Sequence, residues 1–124
     1  MKITVFGTGY VGLVTGVCFA EMGNNVTCVD VDLNKINTLR EGKSPIFEPG
    51  LDSLLAQNIK AKRIQFTNDA KNSIENSDII FIAVGTPPQE DGSADLKYVV
   101  QVAETIATHM NDYKLVVTKS TVPV

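Results

Sequence analysis

Three glycines at set spacing limit what this chain can fold into. Gly7-Thr8-Gly9-Tyr10-Val11-Gly12 follows a short apolar run, Ile3 to Phe6, and opens a helix-periodic stretch that reaches Met22. A strand that turns this sharply into a helix needs a residue without Cβ at the turn, and close helix–sheet contact needs another. The pattern G-x-G-x-x-G alone recurs by chance. Here it sits between a first strand and an apolar helix, and a second strand ending in an acid follows, which makes it a dinucleotide-binding fingerprint. In that reading Gly7 allows the turn, Gly9 lets the backbone approach a pyrophosphate, and Gly12 lets the helix approach the sheet. Unpaired amides at the helix N-terminus face the phosphates, and Gly16 adds a close-contact position one turn later. The competing reading is that the glycines serve turn and packing only.

The rest of the chain alternates strands and helices. Strands are predicted at 3–7, 26–31, 64–66, 78–84 and 115–118, and helices at 10–22, 33–40, 51–59, 69–74 and 95–110. The first helix is expected to bury Val11, Val14, Cys18 and Met22, flanked by Leu13, Val17 and Ala20. Leu33, Ile36 and Leu39 mark the second helix's inner side. Leu96, Val99, Val100, Ala103, Ile106, Ala107 and Met110 mark that of the last. The segment 42–50 holds two prolines and two glycines and reads as a loop. The run 78–84 is the most apolar and reads as an interior strand of a parallel sheet. This order argues for an α/β fold of the Rossmann type: a doubly wound parallel sheet with helices on both faces.

Asp30 closes the second strand. A carboxylate there accepts hydrogen bonds from both hydroxyls of an adenosine ribose and repels a 2′-phosphate, so it favours NAD over NADP. Its competing job, capping the next helix, falls better to Asp32. Lys35, one turn further on, is in reach of the ribose or adenine edge and also of a 2′-phosphate.

Composition narrows the classes. The chain has 124 residues, a net charge of −3 and no basic cluster longer than Lys60-Ala61-Lys62-Arg63, which argues against nucleic acid. No apolar stretch has the roughly 20 residues of a membrane span. Met1-Lys2 runs directly into a strand, so no signal peptide is expected and the cytoplasm is the default compartment. With two cysteines and one histidine, no metal site is expected. Cys18 and Cys28 read as small core residues.

Five segments together resemble one family, the UDP-glucose/GDP-mannose dehydrogenases. They are Phe6 to Leu13, Val29-Asp30-Val31-Asp32, Ser44 to Leu51 with its Glu48-Pro49-Gly50-Leu51, Val84-Gly85-Thr86-Pro87, and Lys119-Ser120-Thr121-Val122-Pro123-Val124. The last segment fits the branch acting on UDP-glucose better than the GDP-mannose branch. UDP-N-acetylmannosamine remains a possible substrate. The resemblance implies NAD-dependent oxidation of a nucleotide sugar at C6, UDP-glucose to UDP-glucuronate, in two hydride transfers. A cysteine holds the intermediate aldehyde as a thiohemiacetal and then a thioester.

Carried over by the resemblance, Gly7, Gly9, Tyr10, Val11 and Gly12 take the pyrophosphate, and Asp30 and Lys35 the adenosine ribose. Thr86 and Thr121 lie beside the nicotinamide, and Thr121 helps to hold the catalytic water. By spacing alone, either threonine reads as a strand-end hydroxyl satisfying local backbone.

The resemblance further implies that residues 1–124 are one NAD-binding domain, itself lacking a last strand. The nucleophilic cysteine, the central helix of a homodimer and the UDP-sugar domain are expected beyond Val124, so this chain alone is expected to be inactive. Two other readings stand: a domain that binds NAD without chemistry, and another Rossmann dehydrogenase, of the 3-hydroxyacyl or 6-phosphogluconate type. The latter share the opening motif but not Glu48-Pro49-Gly50-Leu51.

Overall fold

The apolar runs pair as parallel strands. The computed structural model describes residues 1–44, 49–84 and 97–118. Its strands are β1 (Lys2–Phe6), β2 (Asn25–Val29), β3 (Ile64–Thr67), β4 (Ile79–Ile82) and β5 (Leu115–Thr118). Its helices are α1 (Tyr10–Glu21), α2 (Leu33–Arg40), α3 (Leu51–Lys60), α4 (Ala70–Glu75) and α5 (Lys97–His109). The sheet order is β3-β2-β1-β4-β5, all parallel, with Ile3 level with Val26 on one side and with Ile79 on the other. The chain steps outward from β1 to β3, then crosses back to build β4 and β5 on the other side. The switch falls between β1 and β4, where open α/β sheets hold their ligands. The doubly wound reading is borne out, and β4 is interior as expected.

Alternation along the strands sorts the core into two layers. Ile3, Val5, Val26, Cys28 and Phe81 face α1 and α3, joined by Leu13, Val17 and Leu55. Phe6, Val29, Ile80 and Ile82 face the other way, against Ile74 of α4 and Ile106 of α5. Burial of such side chains, at about 25 cal/mol per Å² of apolar surface, is what drives the layers together. Thr4 would be an orphan in the second layer, but its hydroxyl donates to the Ser73 carbonyl and pairs with Ser77. The buried Lys114 donates to the carbonyls of Ser77 and Glu75, closing the end of α4.

The inner face of α1 differs from the sequence expectation. Its buried residues are Gly12, Leu13, Gly16, Val17 and Ala20. Val11 is 45% and Met22 75% exposed, and Cys18 is exposed too. The helix is turned by one residue, about 100°, because it lies so close to the sheet that glycines occupy the contact. A Cβ on Gly16 would stand 2.8 Å from the Cys28 sulfur. Apolar periodicity cannot see a face built of glycine. Leu33 is likewise 54% exposed, leaving Ile36 and Leu39 as the inner side of α2.

On α5, Ile106 is buried and Val99 and Val102 pack partly against it, whereas Val100 is 50% exposed and Met110, Ala103 and Ala107 are exposed. Leu115 and Val116, on the last strand of the order, are also about half exposed. Leu96 lies outside the described residues.

Cys18 is therefore not a core residue, while Cys28 is, and burial pushes the Cys28 thiol up to about 12. Alkylation of the native protein at pH 8, read by peptide mass spectrometry, should label Cys18 and leave Cys28 unmodified until denaturant is added, because thiolate is the reactive form. Equal labelling of both in the native state would contradict this burial.

Candidate cofactor site

The site grows from the carboxyl ends of β1, β2 and β4. Gly7 leaves β1 with φ 101°, a conformation open to glycine, while its amide donates to the Val29 carbonyl at 2.8 Å. A Cβ there would lie 2.6 Å from the Ala83 carbonyl oxygen. One on Gly12 would lie 2.0 Å from the Gly7 carbonyl oxygen. These two glycines are demanded by the fold itself.

Gly9 is different. It caps α1 in an extended conformation, φ −75° and ψ −166°, which any residue adopts, and a Cβ on it would meet nothing within 4 Å. Among the described residues neither a clash nor a positive φ requires the missing side chain, and as a helix cap glycine gains only about several tenths of a kcal/mol over alanine. An incoming group that must press on the backbone does require it. No side chain caps α1 and no acid sits in its first turn. Its leading amides, carrying the positive end of the helix dipole, suit an anion. The residues present thus fit a dinucleotide's phosphates.

This turn forms one wall of an open cleft of about 1200 Å³, large enough for a dinucleotide. Gly9, Tyr10 and Val11 line it, and the half-exposed Tyr10 and Val11 side chains stand at its rim. Asp30, Val31 and Lys35 form the β2 side, and Val84 continues the wall from β4. The far side is α5, through Gln101 and Thr105.

Asp30 is half-buried and heavily engaged. One carboxylate oxygen, Oδ2, accepts from the Thr8 amide at 3.0 Å and the Thr8 hydroxyl at 2.6 Å. The other, Oδ1, accepts from the Asp32 amide at 3.0 Å. Burial is the largest single influence and acts to raise its pKa. The Thr8 hydroxyl, the Asp32 and Thr8 amides and the Lys35 charge together outweigh it and hold the carboxyl below its usual value. Asp30 therefore stays ionised at neutral pH. The stabilisation it brings is present above the unfolded carboxyl's pKa and is lost as pH falls through the lower folded value. Asp32 takes the capping role, accepting from the Asn34 and Lys35 amides.

The structure thus brings Gly7, Gly9, Tyr10, Val11, Asp30 and Lys35 to one cleft. Gly12 packs behind the turn. Thr86, Thr121 and Glu48 lie outside the described residues. Sequence reasoning passed over Thr8, which is 1% exposed and the main partner of Asp30. The available signal was a hydroxyl at the free position between the first two glycines, next to an acid-ended strand. Among the described residues, no group of three or more histidine, cysteine and acidic side chains is placed to hold a metal ion, and no helix is long and apolar enough to cross a membrane.

Known proteins match this chain along its full length. The profile of the UDP-glucose/GDP-mannose dehydrogenase family, NAD binding domain, covers residues 1–124. UDP-glucose 6-dehydrogenase TuaD of Bacillus subtilis is 57% identical over 99% of the chain, and the UDP-glucose 6-dehydrogenase of Rhizobium meliloti 56% identical over 100%. Among solved structures, GDP-mannose dehydrogenase of Pseudomonas aeruginosa superposes with a TM-score of 0.95 at 42% identity, over 98% of the chain. UDP-glucose dehydrogenase of Pyrobaculum islandicum gives 0.94 at 42%, also over 98%. The chain spans only 27% to 29% of the length of these four relatives. With the glycine turn, the acid that follows β2 and the switch-point cleft, these matches place the chain in the UDP-glucose/GDP-mannose dehydrogenase family, as its NAD-binding domain.

Proposed function

We propose that this chain is the cofactor-binding part of a UDP-glucose 6-dehydrogenase, the protein that converts UDP-glucose to UDP-glucuronate. The observation that carries the reading is Gly9, a glycine that neither a positive φ nor a clash among the described residues requires, at the wall of a cleft that ends on an ionised Asp30. NAD, when bound, accepts the hydrides. The chain's own residues bind and orient it. The α1 amides and Gly9 meet the pyrophosphate, Asp30 accepts from the adenosine ribose, and Lys35 offsets charge at the same end.

Thr86 and Thr121 are assigned to the nicotinamide end on family resemblance. The choice of UDP-glucose over related sugars is supported by the two UDP-glucose 6-dehydrogenases at 57% and 56% identity. The nucleophilic thiol is assigned outside residues 1–124, since Cys28 is sealed in the core and Cys18 does not line the cleft. We further propose that the whole enzyme works as a homodimer in the cytoplasm, with a nucleotide sugar as its small-molecule partner.

The test is calorimetric titration of the chain and its Asp30→Ala variant with NAD and NADP. Asp30→Ala should lose roughly tenfold or more in NAD affinity, the worth of hydrogen bonds to a charged group, and should close the gap between NAD and NADP. A variant with unchanged NAD affinity would sink the ribose assignment. A variant that weakens equally toward both cofactors would show a collapsed turn instead.

A further inference from the structure

The ribose-side acid has little free capacity. A carboxylate offers about four acceptor sites, and Asp30 has three filled: two on Oδ2 by Thr8 and one on Oδ1 by Asp32. Thr8 borders the cleft but is almost wholly buried, and its hydroxyl is committed to Asp30 Oδ2. Thr8 belongs to the glycine turn, one residue before Gly9, while Asp30 is the first residue after β2. The pair of bonds therefore ties the phosphate-binding turn to the ribose-reading acid.

We propose that Thr8 is the positioning residue of this site: its amide and hydroxyl hold Asp30 Oδ2 against the turn, so that Oδ1 is the oxygen left to accept a ribose hydroxyl. This rests on the NAD-binding reading above and adds to it. Thr8 sets the orientation of the acid, and with it the preference for a 2′-hydroxyl over a 2′-phosphate. An acid free to rotate would accept from the ribose less well and would swing away from a 2′-phosphate that it now repels. The hydrogen bond donated by the backbone amide survives any substitution at position 8 other than proline, so the hydroxyl is the testable half. Among the described residues, the titratable groups sharing the cleft with Asp30 are Lys35 on α2, Tyr10 on α1, and Tyr98, Glu104 and His109 on α5. Of these, Lys35 acts on the carboxylate.

The experiment compares the full chain with its Thr8→Val, Thr8→Ala and Thr8→Ser variants. NAD and NADP affinities are read by calorimetry, and the Asp30 carboxyl is titrated by carbon NMR without cofactor. Thr8→Val should weaken NAD by up to roughly tenfold, about the cost of ordering an acid side chain that is no longer held in place, and narrow the preference over NADP. Its Asp30 titration should move up toward the ordinary carboxyl value. Thr8→Ser should retain both properties, and Thr8→Ala, which leaves room for any rearrangement, should follow Thr8→Val and stands in for it if valine does not fold.

Equal weakening toward NAD and NADP with an unmoved Asp30 titration would show a purely structural threonine and overturn the proposal. A parent chain that binds NAD, with Thr8→Val and Thr8→Ala binding as well, would overturn the role of Thr8 alone. A parent chain that takes up no NAD would overturn both this and the cofactor reading.

Discussion

Gly9→Ala should fold as well as the parent chain and bind NAD on the order of 100-fold more weakly. Its backbone lies where alanine is comfortable, and the added methyl meets no atom of the described residues. Alanine lowers the unfolded chain's entropy, a gain of about 0.4–1 kcal/mol. It is also a poorer cap than glycine by several tenths of a kcal/mol. The two nearly cancel, so the melting temperature should stay within a few degrees. Binding has no such offset. The methyl group stands between the turn and a pyrophosphate, and each charge-assisted bond lost there is worth about 1.5–3 kcal/mol. Thermal denaturation by circular dichroism and calorimetric titration together decide it. Retained NAD affinity in a folded Gly9→Ala chain would remove the main support for a phosphate at this turn.

Gly12→Ala should fail the other way, by losing the fold. Its methyl group would sit 2.0 Å from the Gly7 carbonyl oxygen, an overlap with backbone that no rotamer relieves. Either α1 lifts from the sheet or the turn opens. Overpacking a core usually costs about 1–3 kcal/mol, and a clash between two backbone segments belongs at or beyond the upper end. Against a typical total of about 5–15 kcal/mol, that should appear as a melting temperature lower by ~10 °C or more. A Gly12→Ala chain melting within a degree or two of the parent would show that the turn is looser than its geometry indicates. The two substitutions add the same methyl group three residues apart, and they separate a glycine kept for the ligand from one kept for the fold.

The sequence made the architecture legible because strand and helix periods differ and the glycine turn marks their first junction. The ten described elements all fall within two residues of their predicted limits, the widest differences being the ends of β2 and β4 and the start of α5, which lies beside undescribed residues. β2 was read two residues too long, since Asp30 leaves the strand to bond Thr8 and Asp32. What periodicity misplaced was the buried stripe of α1. Hydrophobic patterns weigh side chains, and the residues pressed hardest on the sheet, Gly12 and Gly16, have none. The site was legible where a motif has one physical reading, as at Gly7 and Asp30. It was not legible at Thr8, because the motif leaves that position free and the bond it makes depends on β2 lying beside β1.

The neighbour relations of β1 also say when the site can exist. Lys2 and Asp78, joined across β1 and β4, are 76 positions apart in the chain. The floor beneath Gly7 is the Ala83 carbonyl at the end of β4. Contacts so distant in sequence form late, because loop closure must precede any gain from them. The fingerprint thus leaves the ribosome before β4, the strand on which its final shape depends. A cofactor that binds only the finished turn stabilises only chains whose sheet is complete through β4.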